Sequence, residues 1–246
     1  MTDSAAQIAV ISDIHGNLQA LESVLKAIDE RGIDTVYCCG DLVGYGAHPN
    51  ECVALIQQRA IPMVIGNHDY AALDLIDSSS FNSVALQALN WTHQALTPES
   101  VSFLTVQPMR ISFGDIMLVH ASPSSPERWN YILSIADARE NFACFEETVC
   151  FLGHSHQPFT IEQKGEQLVC PSHHIMEFAE GSKCLVNVGS VGQPRDNNPD
   201  AAFAVYTPAQ RRIEIVRVAY DIQAAQQAIL AQGLPQLLAI RLSAGS

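Results

Sequence analysis

Short apolar runs alternate with helical spacing through the first third of the chain. Residues 7–12 (QIAVIS) form an apolar run of strand length, and Leu18, Leu21, Val24, Leu25 and Ile28 recur at helical spacing over 17–31. Residues 34–39 (DTVYCC) predict a second strand, Pro49 to Arg59 a helix, and 61–65 (IPMVI) a third strand. This β-α-β-α-β order argues for a parallel sheet covered by helices. Residues 69–106 carry no clear strand pattern and predict two or three helices, with a break at Ser78 to Ser80 and a helix start at Thr97-Pro98. The remainder is richer in strands, at 109–113, 115–120, 148–152, 158–163, 166–170, 184–188, 201–206 and 211–218. Phe113-Gly114-Asp115 and Lys164-Gly165-Glu166 predict hairpins. A helix follows from Ile222 to Ala231, and a shorter one begins at Pro235. No repeat, low-complexity tract or linker interrupts the pattern. The reading is a single domain over 1–246 with two sheets inside it and a helical insertion at about 69–106 that shapes the pocket.

Composition narrows the class. Of the 246 residues, 48% are hydrophobic and 16% charged, against a charged share of about 25% in ordinary domains. That is the balance of a well-cored globular protein. Asp and Glu number 26 and Lys and Arg 13, giving a net charge of −13. Such a balance disfavours an extended basic track for nucleic acid and a polybasic membrane anchor. No apolar run approaches the roughly 20 residues that a membrane span needs. No Lys or Arg precedes the first apolar run, so a signal peptide is not expected. The seven cysteines are odd in number and form no CxxC pair. They read as reduced, mostly buried thiols of a cytoplasmic protein.

The chemistry sits at the ends of the apolar runs. The first ends in Asp13-Ile14-His15-Gly16-Asn17, the second in Gly40-Asp41, the third in Gly66-Asn67-His68-Asp69. The run Ile116 to Val119 ends in His120, and Val149 to Leu152 ends in Gly153-His154-Ser155-His156. Sites in open α/β sheets form outside the carboxyl ends of strands, so these clusters are expected to converge. Their Asp, His and Asn side chains offer oxygen and imidazole donors without thiolate. That suits Mn, Fe, Co, Ni or Zn in an open catalytic site. The donors are too many for one ion, and two ions could clamp the attacking and leaving oxygens of a displacement at phosphorus.

The ordered set DxH, GDxxGYG, GNHD, His and GHSH, running from Ile8 to about Val205, resembles the calcineurin-like metallophosphoesterases. The resemblance implies a four-layer α/β/β/α sandwich, an α/β fold of two mixed sheets flanked by helices, with a binuclear metal centre between their loops. It implies one metal on Asp13, His15 and His156, a second on Asn67, His120 and His154, and Asp41 bridging them. Manganese leads, with Fe, Zn, Co or Ni as alternatives. It further implies attack on phosphorus by a hydroxide between the ions, with His68 protonating the leaving oxygen or stabilising its charge. Asp69 either orients His68 or caps the following helix. Gly40 to Gly46 with Pro49-Asn50-Glu51-Cys52, together with His120-Ala121-Ser122-Pro123 and Asn187 to Asp196, is similar to a bacterial and archaeal subgroup of small phosphoesterases. The Arg-Gly pair usual in Ser/Thr phosphatases and symmetrical dinucleoside tetraphosphatases is replaced by Tyr45-Gly46, and an Asp of the phosphatases by Gly44.

Arg195, in a Gly/Pro-rich loop, is the candidate for holding phosphate in place of that Arg; the alternatives are a pair with Asp196 or a loop pin. Tyr45, His48 and Asn17 are further candidate substrate contacts. Arg128, Trp129, Asn130 and Tyr131 either pack or receive a base or aryl leaving group. His173-His174 reads as a surface hairpin, and His93 as packing or surface. The expected function is a metal-dependent phosphoesterase, first a phosphodiesterase. The alternatives are a phosphomonoesterase or protein phosphatase, a dinucleoside polyphosphate hydrolase, or a non-catalytic scaffold. The expected partner is a small or locally presented phosphoester, with no long nucleic acid and no membrane; a homo-oligomer remains open.

Overall fold

A computed structural model describes residues 6–76, 81–171 and 173–246; the expected break at Ser78 to Ser80 lies outside them. The chain runs β1 (Ile8–Ile11), α1 (Leu18–Glu30), β2 (Thr35–Cys38), α2 (Pro49–Gln58), α3 (Asn67–Ala72), α4 (Ser83–Ala95), α5 (Pro98–Thr105), β3 (Arg110–Phe113) and β4 (Ile116–Val119). It continues through α6 (Ile135–Phe142), β5 (Val149–Leu152), β6 (Phe159–Lys164), β7 (Gln167–Val169), β8 (Ile175–Glu177), β9 (Lys183–Asn187), β10 (Ala201–Thr207), β11 (Arg212–Val218), α7 (Ile222–Ala231) and α8 (Gln236–Ala244).

Two mixed sheets form. One has the order β2-β1-β10-β11-β8, the other β3-β4-β5-β9-β6-β7. Each contains a parallel core: β1 beside β2 in the first, and β4, β5 and β9 side by side in the second. Period-two alternation stacks these sheets into layers. Ala9 and Ile11 of β1 face α1 and α2, whereas Val10 faces the other sheet. In β4, Ile116 and Leu118 join Val10, Phe151 and Tyr206 between the sheets, while Met117 and Val119 meet Phe142 of α6 on the far side. The result is the expected α/β/β/α sandwich.

Three local readings change. The expected third strand at 61–65 is a single parallel bridge between Met63 and Cys38. Pro62 has no amide to donate, and the Ile65 amide goes to the Pro108 carbonyl at 2.8 Å, so the segment leaves the sheet. Helix α6 was not anticipated, although Ser134 and Asp137 form a capping box at its start. Strand β8 was also missed: it has three residues, of which only Met176 is buried, too few to show alternation. Both predicted hairpins form, β3–β4 and β6–β7. All seven cysteines are free; Cys170 is exposed, Cys144 half-buried and the others buried. No helix among the described residues is long and apolar enough to cross a membrane.

The inter-sheet layer gives a stability prediction. Phe151 is fully buried there, 5.9 Å from the Tyr206 ring. Phe151→Ala is expected to lower unfolding free energy by about 3–5 kcal/mol in urea titrations.

Candidate metal centre

The parallel cores of both sheets present their carboxyl ends to one edge of the sandwich. The backbone ties the loops there together. Asp13 and His15 donate their amides to Gly40 O and Asp41 O, both at 2.9 Å, fastening the β1 loop to the β2 loop. Gly153 donates to His120 O, joining the β5 and β4 loops at 2.9 Å. The sheets are joined by Val191 N to Ser12 O and Gly192 N to Asp13 O, again at 2.9 Å, and by the His154 amide on the Asp13 carboxylate at 3.0–3.2 Å. Asn187, fully buried, donates to Ser155 Oγ and the Gly153 carbonyl, fixing the Gly153–His156 turn.

Seven side chains converge in two groups. Asp13, His15 and His156 form one, and Asp41, His120 and His154 the other, the donor atoms of each within 4.8 Å of one another. Asn67 joins the second through Oδ1, 3.1 Å from His120 Nε2. Asp41 Oδ2 lies 3.2 Å from His120 Nε2 and 3.6 Å from His15 Nε2, so it faces both groups. All seven are buried.

Their hydrogen bonds define what could fill the space. His15, His120 and His156 each direct Nδ1 to a backbone carbonyl: Val43 O at 3.1 Å, Cys39 O at 2.8 Å and Gln193 O at 2.6 Å. A carbonyl only accepts, so the ring proton sits on Nδ1 and each Nε2 lone pair points inward. There His15 Nε2 and His156 Nε2 lie 3.0 Å apart, with Asp13 Oδ1 3.2 Å from the latter. His120 Nε2 lies 3.2 Å from His154 Nδ1. Acceptors packed this closely need a cation or a proton between them. Burial, then His120, pushes His154 down to about 3; burial, then Arg195, pushes His156 down to about 4. Burial opposes protonating His120 as well, but the adjacent Asp41 raises it to about 9. Burial would raise Asp13 and Asp41 too, yet the surrounding histidines hold both carboxyls well below the usual range. The donor set fits divalent first-row ions.

The backbone is strained at the same place. Asp13, His15, Asp41, His154 and His156 all have φ between 50° and 67°. The left-handed region costs a non-glycine residue of order 1–3 kcal/mol, so five donors of seven are held against a local preference. Two glycines make room for them. A Cβ on Gly66 would overlap the Asp41 carboxylate, and one on Gly153 would overlap Asp13 Oδ2 and Ser12 Oγ.

A cleft of about 420 Å³ opens at the second group, with Asn67, His68 and His154 in its lining. His68 packs 4.4 Å from the Tyr45 ring and 4.9 Å from the His15 ring; its Nδ1 is buried without a partner. Burial lowers its pKa well below the ordinary value. Arg195 lines the cleft, its Nε and Nη2 on Gln193 Oε1 at 3.3 and 2.9 Å and its Cζ 5.8 Å from the Tyr45 ring. It does not pair with Asp196, which Arg217 holds. Tyr131 stacks on His154 at 3.9 Å, and Trp129 sits edge-on to His120 at 6.0 Å. The 69–106 segment contributes Ile76, Phe81, Asn82 and Ala85 to the wall.

Two expected roles are corrected, and of the two alternatives for Asp69 the structure shows the cap. Asn17 is not in the cleft: its Oδ1 caps α1 on the Ala20 amide at 3.2 Å and its Nδ2 donates to Gly192 O at 2.9 Å. His48 faces the back of the loop, with Nδ1 3.7 Å from Glu51 Oε1. Asp69 does not reach His68; its carboxylate accepts the Val43 and Gly66 amides, both at 3.0 Å, capping α3 and pinning the loop after Asp41. His173 and His174 are exposed and outside the cleft. His93 is half-exposed, with Nδ1 2.9 Å from Ala72 O and Nε2 3.5 Å from Asp74. Arg241 of α8 also lines the cleft and was not anticipated. Its signal was a lone Arg between Leu237-Leu238-Ala239-Ile240 and Leu242.

Two mixed sheets flanked by helices, with paired His/Asp groups at their common edge, define the metallophosphoesterase architecture. The profile of the calcineurin-like phosphoesterase superfamily domain matches residues 7–211. The chain is 40% identical over 245 residues to an uncharacterized protein of Methanocaldococcus jannaschii, covering 98% of each. A crystal structure of a metallophosphoesterase from Sphaerobacter thermophilus superposes with a TM-score of 0.87 at 37% identity, covering 99% of this chain and 100% of that one. A symmetrical bis(5'-nucleosyl)-tetraphosphatase of Pectobacterium atrosepticum is 25% identical over 134 residues, 53% of this chain and 48% of that one. The chain belongs to the calcineurin-like phosphoesterase superfamily, a family that uses divalent metals.

Gly153→Ala alters no donor, yet it should displace Asp13. Calorimetric titration with Mn²⁺ is expected to show affinity reduced by about 10–100-fold. Gly165→Ala, in a hairpin where a Cβ meets nothing within 4 Å, should leave that affinity unchanged.

Proposed function

We propose that this protein is a metal-dependent phosphoesterase that cleaves a small or locally presented phosphodiester. The observation that carries this reading is the inward-facing set of acceptors at 3.0–3.2 Å, beneath a cleft that contains an arginine and a buried histidine. Asp13, His15 and His156 would hold one divalent ion and Asn67, His120 and His154 the other, with Asp41 shared. Manganese is the first choice, with Fe, Zn, Co or Ni as alternatives. When bound, such ions lower the pKa of water and neutralise charge developing on phosphoryl oxygens.

The chain's own groups do the rest. The Arg195 guanidinium, held on Gln193, grips phosphoryl oxygens with the nitrogens turned to the cleft. His68 serves the leaving oxygen. Buried beside Arg195, it is neutral when the cleft is empty; an arriving anion supplies the negative charge that favours its protonated form. It can then pass a proton to the departing alkoxide. Tyr45 and Phe81 cover the His68 ring at 4.4 and 5.1 Å and limit water around it. Asp69 holds the loop rather than the proton.

Dinucleoside polyphosphate hydrolysis is the second reading, favoured by the named activity of the Pectobacterium relative and opposed by Tyr45-Gly46 in place of Arg-Gly. A panel decides: bis-p-nitrophenyl phosphate, p-nitrophenyl phosphate, cyclic nucleotides, a dinucleoside tetraphosphate and a phosphopeptide, each with Mn²⁺. The aryl diester should be cleaved best; strong preference for the phosphopeptide contradicts the proposal. Chelation should abolish activity, and activity indifferent to chelator would refute metal dependence. Asp41→Asn should lose metal and activity together. His68→Ala should retain metal while kcat falls by about 10²–10⁴.

A further inference from the structure

Most of the chain's basic residues are neutralised within the fold. Lys26, Arg31, Arg59, Arg110, Lys183, Arg211, Arg212 and Arg217 each meet an Asp or Glu side chain. Among the described residues, Arg128, Arg139, Lys164, Arg195 and Arg241 meet none, and Arg128, Arg195 and Arg241 line one cleft. In a protein with twice as many acidic as basic residues, three guanidiniums lining one cleft, none of them on an Asp or Glu side chain, concentrate positive charge there. The fold enforces it from three directions. Arg128 ends a 3-10 turn flanked by Ser125 and Trp129, both left-handed at φ 52° and 55°. Arg195 stands on the Gln193 side chain over Tyr45. Arg241 projects from α8, which is anchored by buried Leu238 and Leu242, and its Nε is engaged by the terminal carboxyl oxygen of Ser246, which leaves its Nη groups without a side-chain acid. Burial and the charge of Arg195 both lower the Arg241 pKa, as expected of like charges sharing a space.

One phosphoryl group at the metal centre occupies Arg195 and leaves Arg128 and the Nη groups of Arg241 without an anionic side-chain partner. We infer that the cleft takes a phosphoester carrying a second phosphate, which Arg128 and Arg241 bind away from the bond that is cleaved. The inference rests on the phosphoesterase reading above and adds a substrate class to it. Trp129 and Tyr131 line the same cleft as Arg128, so a flat spacer between the two phosphates would meet aromatic side chains.

The test compares two chromogenic esters with Mn²⁺-loaded protein: thymidine 5'-p-nitrophenyl phosphate and the same ester bearing a 3'-phosphate. The nucleoside and leaving group are identical, so only the second phosphate differs. The doubly phosphorylated ester should show at least about tenfold higher kcat/KM, carried mainly by KM, corresponding to ~1.4 kcal/mol. Arg241→Gln and Arg128→Gln should each reduce that preference at least about threefold, a loss of ~0.65 kcal/mol. Arg128 is exposed on its turn, so its replacement reports even if the α8 variant folds poorly. Arg139→Gln, which changes a guanidinium bonded to Glu166 O outside the cleft, should leave the preference intact. No preference in the unaltered protein, or a preference that survives both cleft replacements, overturns the inference while the phosphoesterase reading stands. Cleavage of neither ester overturns that reading and the inference with it.

Discussion

The structure depends on keeping a crowd of electron pairs together. His15, His156 and Asp13 on one side, and His120, His154, Asn67 and Asp41 on the other, turn acceptors inward at distances at which neutral acceptors repel. Burial drives His154 and His156 toward their neutral forms, while the adjacent Asp41 favours a proton on His120. The fold opposes this repulsion with rigid devices. Carbonyls of Val43, Cys39 and Gln193 clamp the outer face of three rings, and loops from both sheets are sewn across Asp13. Local strain at five donors is the counterpart: a left-handed turn at the end of a strand aims a side chain where an extended backbone would not.

Much of this was legible because the donors follow directly on apolar runs. Asp13, Asp41, His120 and His154 stand at or just beyond the ends of strands recognisable by composition, and parallel strands bring their carboxyl ends to one edge. Loop residues were less legible. Asn17 and His48 lie beside the donors in sequence, but a loop side chain's direction depends on backbone torsion and on competing partners. Asn17 is captured by the Ala20 amide and the Gly192 carbonyl, and His48 turns toward Glu51. Asp69 was ambiguous for the same reason: two nearby amides outcompete a histidine ring. Arg241 was hidden by chain distance, since only the packing of α8 against α4 and α7 brings it to the cleft. The segment 61–65 misled because its apolar content matched a buried strand while Pro62 limited its pairing to one bridge.

The acidic balance of the chain now has a spatial meaning. Most basic residues meet an Asp or Glu side chain, while three of the five that do not, Arg128, Arg195 and Arg241, line the cleft that reaches Asn67 and His154. Under the proposed function, such a concentration of guanidiniums would favour a small phosphorylated molecule over a long polyanion. Family membership indicates phosphoester chemistry; in the proposed function, the wall built from the Ser125–Tyr131 loop, Tyr45, Arg195 and α8 would select what is attached to the phosphate.

The most direct measurement is anomalous X-ray diffraction, at the manganese edge, from crystals of the Mn²⁺-loaded protein. The account predicts two peaks, one among Asp13, His15 and His156 and one among Asn67, His120 and His154, with Asp41 between them. A single peak, or ions bound only at surface carboxylates, would contradict it.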